Sequence, residues 1–132
     1  MEDARPSARI SVALIDSEME VRRATELRLR AGPFDVRAFA SGCAMLAKTG
    51  LPIDCVVIRD EMPEIDGFEL LRRLRGRGWL GPAILVTNIP SPALAAAAAD
   101  AGFATVIDRP LIDNLLWQAV DKATRATPEI AA

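Results

Sequence analysis

The sequence predicts an α/β protein built on a doubly wound, five-stranded parallel sheet of (βα)5 topology. Three observations favour this fold class. Short apolar segments alternate along the chain with segments whose apolar residues recur at helical spacing. Glycine, proline and small polar residues separate the two kinds of segment. The apolar segment 55–58 is continuous enough to be buried on both faces, as strands in parallel sheets are.

Apolar segments bounded by turn residues are expected to form the strands, at residues 9–15, 34–40, 53–59, 83–87 and 105–107. Helices are expected after each strand, at residues 18–31, 41–48, 67–75, 92–101 and 111–126. Ser41 is expected to cap the second helix, while Gly32 and Gly102 end the first and the fourth. These units fill residues 9–126, and we expect residues 1–8 and 127–132 to be disordered.

Size and composition limit the function classes. At 132 residues we expect one stand-alone domain, and its net charge of −2 gives no broad basic field for nucleic acid or an anionic membrane. The apolar run 92–99 is too short to span a bilayer, and the N-terminus lacks the apolar core of a signal peptide. The absence of histidine excludes a phosphohistidine carrier. Cys43 and Cys55 are expected to be buried thiols.

Polar side chains follow four of the expected strands at the point where each strand ends. These residues are Asp16, Ser17, Arg59, Asp60, Thr87, Asn88, Asp108 and Arg109. Because the carboxyl ends of parallel strands meet at one edge of a sheet, the sequence predicts a polar site there.

The segment 56–67 carries the most specific motif. An apolar strand ends at Arg59, Met62-Pro63 follows three residues later, and a short turn ends at Gly67. This pattern resembles the phosphoacceptor segment of bacterial two-component response-regulator receiver domains, the CheY-like family. With Arg109-Pro110 after the fifth strand, the resemblance extends over about residues 9–124. It implies a flavodoxin-like receiver fold and a role in phosphorelay signal transduction.

The sequence departs from the family's pattern at the acceptor itself. The residue three positions before Met62 is the phosphorylated aspartate in that family, and here it is Arg59. Asp16 matches the first of two acidic residues that bind a divalent cation, but Ser17 replaces the second. Aspartyl phosphorylation needs a carboxylate nucleophile and a hard cation held by oxygen ligands. We therefore expect no phosphorylation in the family's manner, and Mg²⁺ binding that is lost or weak.

Other positions of the pocket are partly kept. Thr87 stands where the family has the hydroxyl residue that follows the phosphoryl group, Arg109 stands where it has a lysine, and Val106 replaces its aromatic switch residue. The resemblance therefore implies a degenerate pocket, a pseudo-receiver, made of Asp16, Ser17, Arg59, Thr87 and Arg109. We expect no catalytic residues and no enzymatic activity, but a cytoplasmic, phosphorylation-independent protein-interaction module.

Several interpretations of the pocket remain open. Arg59 is expected to pair with Asp16, together with Asp60 or Glu61, and so to fill the cation's place. Alternatively Arg59 extends to solvent, or it cradles an anion or nucleotide with Arg109. A residual phosphoacceptor at Asp60 is a further alternative, although strand alternation places its side chain on the face opposite Arg59.

The expected partner surface lies on the fourth helix, the fifth strand and the fifth helix, where the family commonly makes contacts. The fourth helix is alanine-rich on all sides, which predicts either an interface or simple helix-forming filler. The candidate interface residues are Leu94, Ala95, Ala98, Val106 and Trp117. They would serve a homodimer or a protein partner such as a histidine kinase or another regulator.

Overall fold

The computed structural model of this chain describes residues 9–48, 50–109 and 115–126. The strands are β1 (Ile10–Ile15), β2 (Phe34–Phe39), β3 (Cys55–Arg59), β4 (Ala83–Thr87) and β5 (Thr105–Asp108). The helices are α1 (Met19–Arg30), α2 (Gly42–Ala47), α3 (Gly67–Gly76), α4 (Pro92–Ala101) and α5 (Leu115–Ala126). The predicted start of the last helix at 111–114 and the termini expected to be disordered lie outside the described residues.

The strands form one parallel sheet in the order β2-β1-β3-β4-β5, which confirms the predicted doubly wound, flavodoxin-like fold. β3 begins at Cys55 rather than at residue 53. The Asp54 amide still donates to the Ser11 carbonyl of β1 at 2.7 Å, but the Asp54 side chain, and not a backbone carbonyl, accepts from the Ser11 amide at 2.8 Å. β3 and β4 are almost entirely buried, as expected for central strands covered on both faces.

Two apolar layers cover the two faces of the sheet, and alternation along each strand assigns its side chains to one of them. Ile58 and Leu85 pack in the layer under α2, α3 and α4. Leu14, Val57 and Val86 pack in the layer that α1 and α5 cover. The residues that follow these strands continue the same alternation, which decides on which face each polar side chain of the candidate site begins.

Side-chain caps and tight approaches fix the helices against the sheet. Ser41 accepts a hydrogen bond from the Ala44 amide at the start of α2, and Ser91 accepts one from the Leu94 amide at the start of α4. Gly67 begins α3 close to β3, and a Cβ atom there would stand 2.5 Å from the Arg59 carbonyl oxygen. The glycine of the motif is therefore required by the close approach of two backbones.

Candidate functional site

Asp16 lies at the centre of a cluster at the carboxyl edge of the sheet. Its side chain is 1% exposed, and both carboxylate oxygens accept hydrogen bonds. Oδ1 accepts from the Glu18 amide at 2.9 Å and from Arg59 Nη1 at 3.2 Å. Oδ2 accepts from Arg109 Nη2 at 2.7 Å. A buried carboxylate requires such partners, because leaving a charge unpaired away from water is costly.

Arg59, the last residue of β3, bridges two carboxylates. Its Nη1 donates to Asp16 and also to Glu18 Oε1 at 2.7 Å. The hydrogen bond to Glu18 is the largest influence raising the pKa of Arg59, and the same bond lowers the pKa of Glu18. The side chain of Arg59 is only 13% exposed, so it does not extend into solvent. The second carboxylate is that of Glu18, and not that of Asp60 or Glu61, the additional partners that the sequence predicts.

Arg109 approaches the same carboxylate from the end of β5. Its backbone amide donates to the Thr87 carbonyl at 2.9 Å, which extends the β4–β5 pairing and directs the side chain towards Asp16. Burial lowers the pKa of Arg109, and the charge of Asp16 opposes that effect. Its Nε atom is buried without a hydrogen-bond partner in the described part of the chain. The two guanidinium groups and the carboxylates of Asp16 and Glu18 give the cluster no net charge.

A second group of contacts lies on the other face of the sheet. The buried Thr87 hydroxyl donates to Asp60 Oδ2 at 2.8 Å and accepts from the Ile89 amide at 3.0 Å. Asp60 continues the alternation of Ile58, so it begins on the face opposite Arg59, as alternation predicts. Periodicity assigns a side chain to a face and not to a partner, so the contact between Asp60 and Thr87 cannot be predicted from it. Ser17 is half-buried between Asp16 and Glu18.

Two of the candidate interface residues do not lie on an outer surface. Ala98 is 1% exposed because it lies on the side of α4 that packs on the sheet. Trp117 packs edge-on against Phe34 of β2, with ring centroids 5.9 Å apart, and it covers Gly32. Trp117 therefore covers the β2 edge of the sheet and points away from α4 and β5. The prediction that it belongs to the interface is wrong.

The remaining candidate surface is smaller. Ala95 is exposed, while Leu94 and Val106 are half-buried against the layer under α3 and α4. Ile89, in the connection before α4, is 72% exposed and was not identified from the sequence.

The prediction that both cysteine thiols are buried is wrong for Cys43, which is exposed, and right for Cys55.

The fold and the polar cluster at the ends of its parallel strands define a flavodoxin-like α/β domain with its site at the carboxyl edge of the sheet. More particularly, the chain belongs to the response regulator receiver domain family, whose model matches residues 12–121. It is thus a response regulator receiver of two-component signalling. Across the described ranges, no helix has both the length and the apolar character needed to cross a bilayer.

Individual relatives agree with this assignment. The chain is 30% identical over 115 residues to the transcriptional regulatory protein FixJ of Bradyrhizobium diazoefficiens, covering 86% of this chain and 56% of that protein. It therefore spans about half the length of that curated relative. The crystal structure of FixJ-N has a TM-score of 0.77 at 27% identity and covers 97% of this chain and 98% of that one. The chemotaxis protein CheY4 of Vibrio cholerae shares the fold, with a TM-score of 0.82 at 21% identity over 88% of this chain and 99% of that one.

Proposed function

We propose that this receiver acts as a phosphorylation-independent protein-interaction module in two-component signalling. The observation that carries the proposal is the Arg59 guanidinium, which stands at the end of β3 and bridges Asp16 and Glu18. A guanidinium is permanently protonated and is not a nucleophile toward phosphorus, so this position cannot form an aspartyl phosphate.

The donor set does not fit a divalent cation. Mg²⁺ takes nearly octahedral oxygen ligands and prefers free carboxylates. Here both oxygens of Asp16 already accept from guanidinium groups, and Ser17 supplies no charge. A cation placed beside Asp16 would also meet the like charges of Arg59 and Arg109. These contacts support the proposal that Arg59 occupies the role of the metal and that Mg²⁺ is not a cofactor.

The proposed work is binding rather than turnover. The partner would be a histidine kinase or another regulator in the cytoplasm, and a second copy of this chain is the alternative partner. The surface proposed for it consists of α4 and β5, with Leu94, Ala95 and Val106 remaining from the sequence-based candidates. Small exposed side chains on α4 would allow close approach of another helix.

The decisive experiment treats the protein with acetyl phosphate and Mg²⁺ and measures its intact mass. In parallel, its oligomeric state is measured by light scattering with and without Mg²⁺ and beryllofluoride. We expect neither treatment to change the wild-type protein. The matched variant Arg59→Asp, alone and with Ser17→Asp, should gain Mg²⁺ affinity in a titration. A mass increase of one phosphoryl group on the wild-type protein would contradict the proposal, and Asp60→Asn would then show whether Asp60 accepts it.

An anion- or nucleotide-sensing function is the second candidate. The buried Nε atom of Arg109, which has no partner in the described part of the chain, is the observation that favours it. The neutral charge balance of the cluster weighs against it, since Asp16 and Glu18 already offset both guanidinium groups. Calorimetric titration with inorganic phosphate and with nucleotides would test this function. Saturable binding that is lost in Arg59→Ala would support it.

A further inference from the structure

We propose that Asp60 is a permanent, built-in acceptor for the Thr87 hydroxyl, and that this contact holds the connection between β4 and α4 in one conformation. The proposal deepens the constitutive role suggested above, on which its functional meaning rests. Its physical content is a chain of two hydrogen bonds, from the Ile89 amide to Thr87 and from Thr87 to Asp60.

The first step is the direction of the Thr87 hydroxyl. Its oxygen is buried, and it has one hydrogen to donate. The Asp60 carboxylate takes that hydrogen at 2.8 Å, which turns the lone pairs of the oxygen towards the Ile89 amide. A hydrogen bond to a charged acceptor is stronger than one between neutral groups, and bonds in a chain polarise one another. Asp60 therefore influences the strength of the hydrogen bond between the Ile89 amide and the Thr87 hydroxyl, although it does not itself contact Ile89.

The second step is the position of Asp60 itself. Its amide donates to the Val86 carbonyl at 3.0 Å, and its carbonyl accepts from the Gly67 amide at 2.9 Å. The backbone of Asp60 is therefore fixed on one side to β4 and on the other to the start of α3. The carboxylate is consequently presented to Thr87 from a rigid support, as a preorganised acceptor requires.

The third step is what the chain of bonds controls. The connection from β4 to α4 covers residues 88–91, and the Ile89 amide is tied back to Thr87 within it. Ser91 then caps α4. Ile89 itself is 72% exposed, so packing of its side chain does little to hold this segment. The backbone bond to Thr87 thus fixes the approach to α4 and with it the exposed alanine side of that helix.

The test is hydrogen exchange of the Ile89 amide, measured by NMR on the full chain. Asp60→Ala should accelerate exchange of this amide by about tenfold, the change expected when one hydrogen bond is lost, although Thr87 is unaltered. Thr87→Val should have a similar effect, and the double variant should add little, because both act on one chain of bonds. Thr87→Ser keeps the hydroxyl and should keep the protection. Asp100→Ala, which removes an exposed carboxylate from α4, should leave Ile89 unchanged.

Amides of β1 and β3 serve as the reference for global opening. If Asp60→Ala accelerates those amides equally, Asp60→Leu replaces it, because leucine is close to aspartate in shape and has no acceptor, and Ile89 exchange must then rise above the reference. Unchanged Ile89 protection in Asp60→Ala or Asp60→Leu would overturn the proposal, as would loss of protection in Thr87→Ser. The result is independent of the phosphorylation experiment, because exchange is measured without any phosphoryl donor. The two proposals can therefore fail separately.

Discussion

Replacing Arg59 by alanine tests whether the ionic cluster supports the fold. The change removes one charge-assisted hydrogen bond of 3.2 Å to the buried Asp16. Such bonds contribute about 1.5–3 kcal/mol when they are short, so this longer one belongs at the lower end. Asp16 would retain Arg109 and the Glu18 amide, and it would therefore not suffer the full cost of an unpaired buried charge. The bond to Glu18 adds little, because Glu18 is 57% exposed and water screens it.

The expected loss is therefore about 1–2 kcal/mol in the free energy of unfolding, measured by urea denaturation at neutral pH. Arg109→Ala should cost more, because its bond to Asp16 is shorter, at 2.7 Å, while the two arginine side chains are equally buried. The matched control is Arg125→Ala, whose ion pair with Asp121 lies on the surface and whose removal should change stability by less than about 0.5 kcal/mol. If Arg59→Ala were as mild as Arg125→Ala, the cluster would not be a structural substitute for a bound cation.

Three further predictions concern pH, backbone packing and thiol reactivity. Because Arg59 lowers the folded-state pKa of Glu18, the stability that Glu18 contributes should be complete above its ordinary value of 4.5 and lost as the pH falls through the lowered pKa. Because Glu18 is largely exposed, this contribution is small, and Glu18→Gln should flatten the acid limb only slightly in a series of urea titrations; a steeper limb would contradict the assignment. Gly67→Ala should destabilise by roughly 1–3 kcal/mol in the same assay, since its Cβ would stand 2.5 Å from the Arg59 carbonyl oxygen. A thiol reagent at mildly alkaline pH should modify the exposed Cys43 and spare Cys55, because burial raises the pKa of Cys55 to about 12; equal modification rates would show that β3 opens readily.

The fold could be predicted because its signals are local and repeated. Each strand and helix carries its own periodicity and turn residues. Apart from the start of α5, whose predicted residues 111–114 lie outside the described part of the chain, the observed bounds lie within one or two residues of the prediction. The meeting of Asp16, Arg59 and Arg109 could be predicted in the same way, because the ends of parallel strands converge on one edge. Asp16 and Arg59 follow Leu14 and Val57 by two residues, so strand alternation places them on the same face of the sheet as those two core residues.

Other features of the site depend on geometry that periodicity does not encode. Glu18 precedes α1, and its reach to Arg59 depends on how the chain leaves β1 for that helix. The contact between Asp60 and Thr87 depends on the offset between β3 and β4 at their ends. The direction of Trp117 depends on how α5 crosses the sheet, so a helical wheel places it at an edge without saying which edge.

The order of Arg59 and Asp60 has a consequence for how this domain can change. One peptide bond joins two side chains that lie on opposite faces of the sheet. Its N–H, from Asp60, donates to the Val86 carbonyl of β4, and the Asp60 carbonyl of the next peptide accepts from the Gly67 amide at the start of α3. A slip of β3 by one residue would exchange the two and disrupt both groups of contacts at once. A carboxylate cannot therefore reach the position of Arg59 by a small backbone adjustment. A carboxylate can stand at this position only by substitution of residue 59 itself, with the loss of the ionic contacts that the arginine now makes.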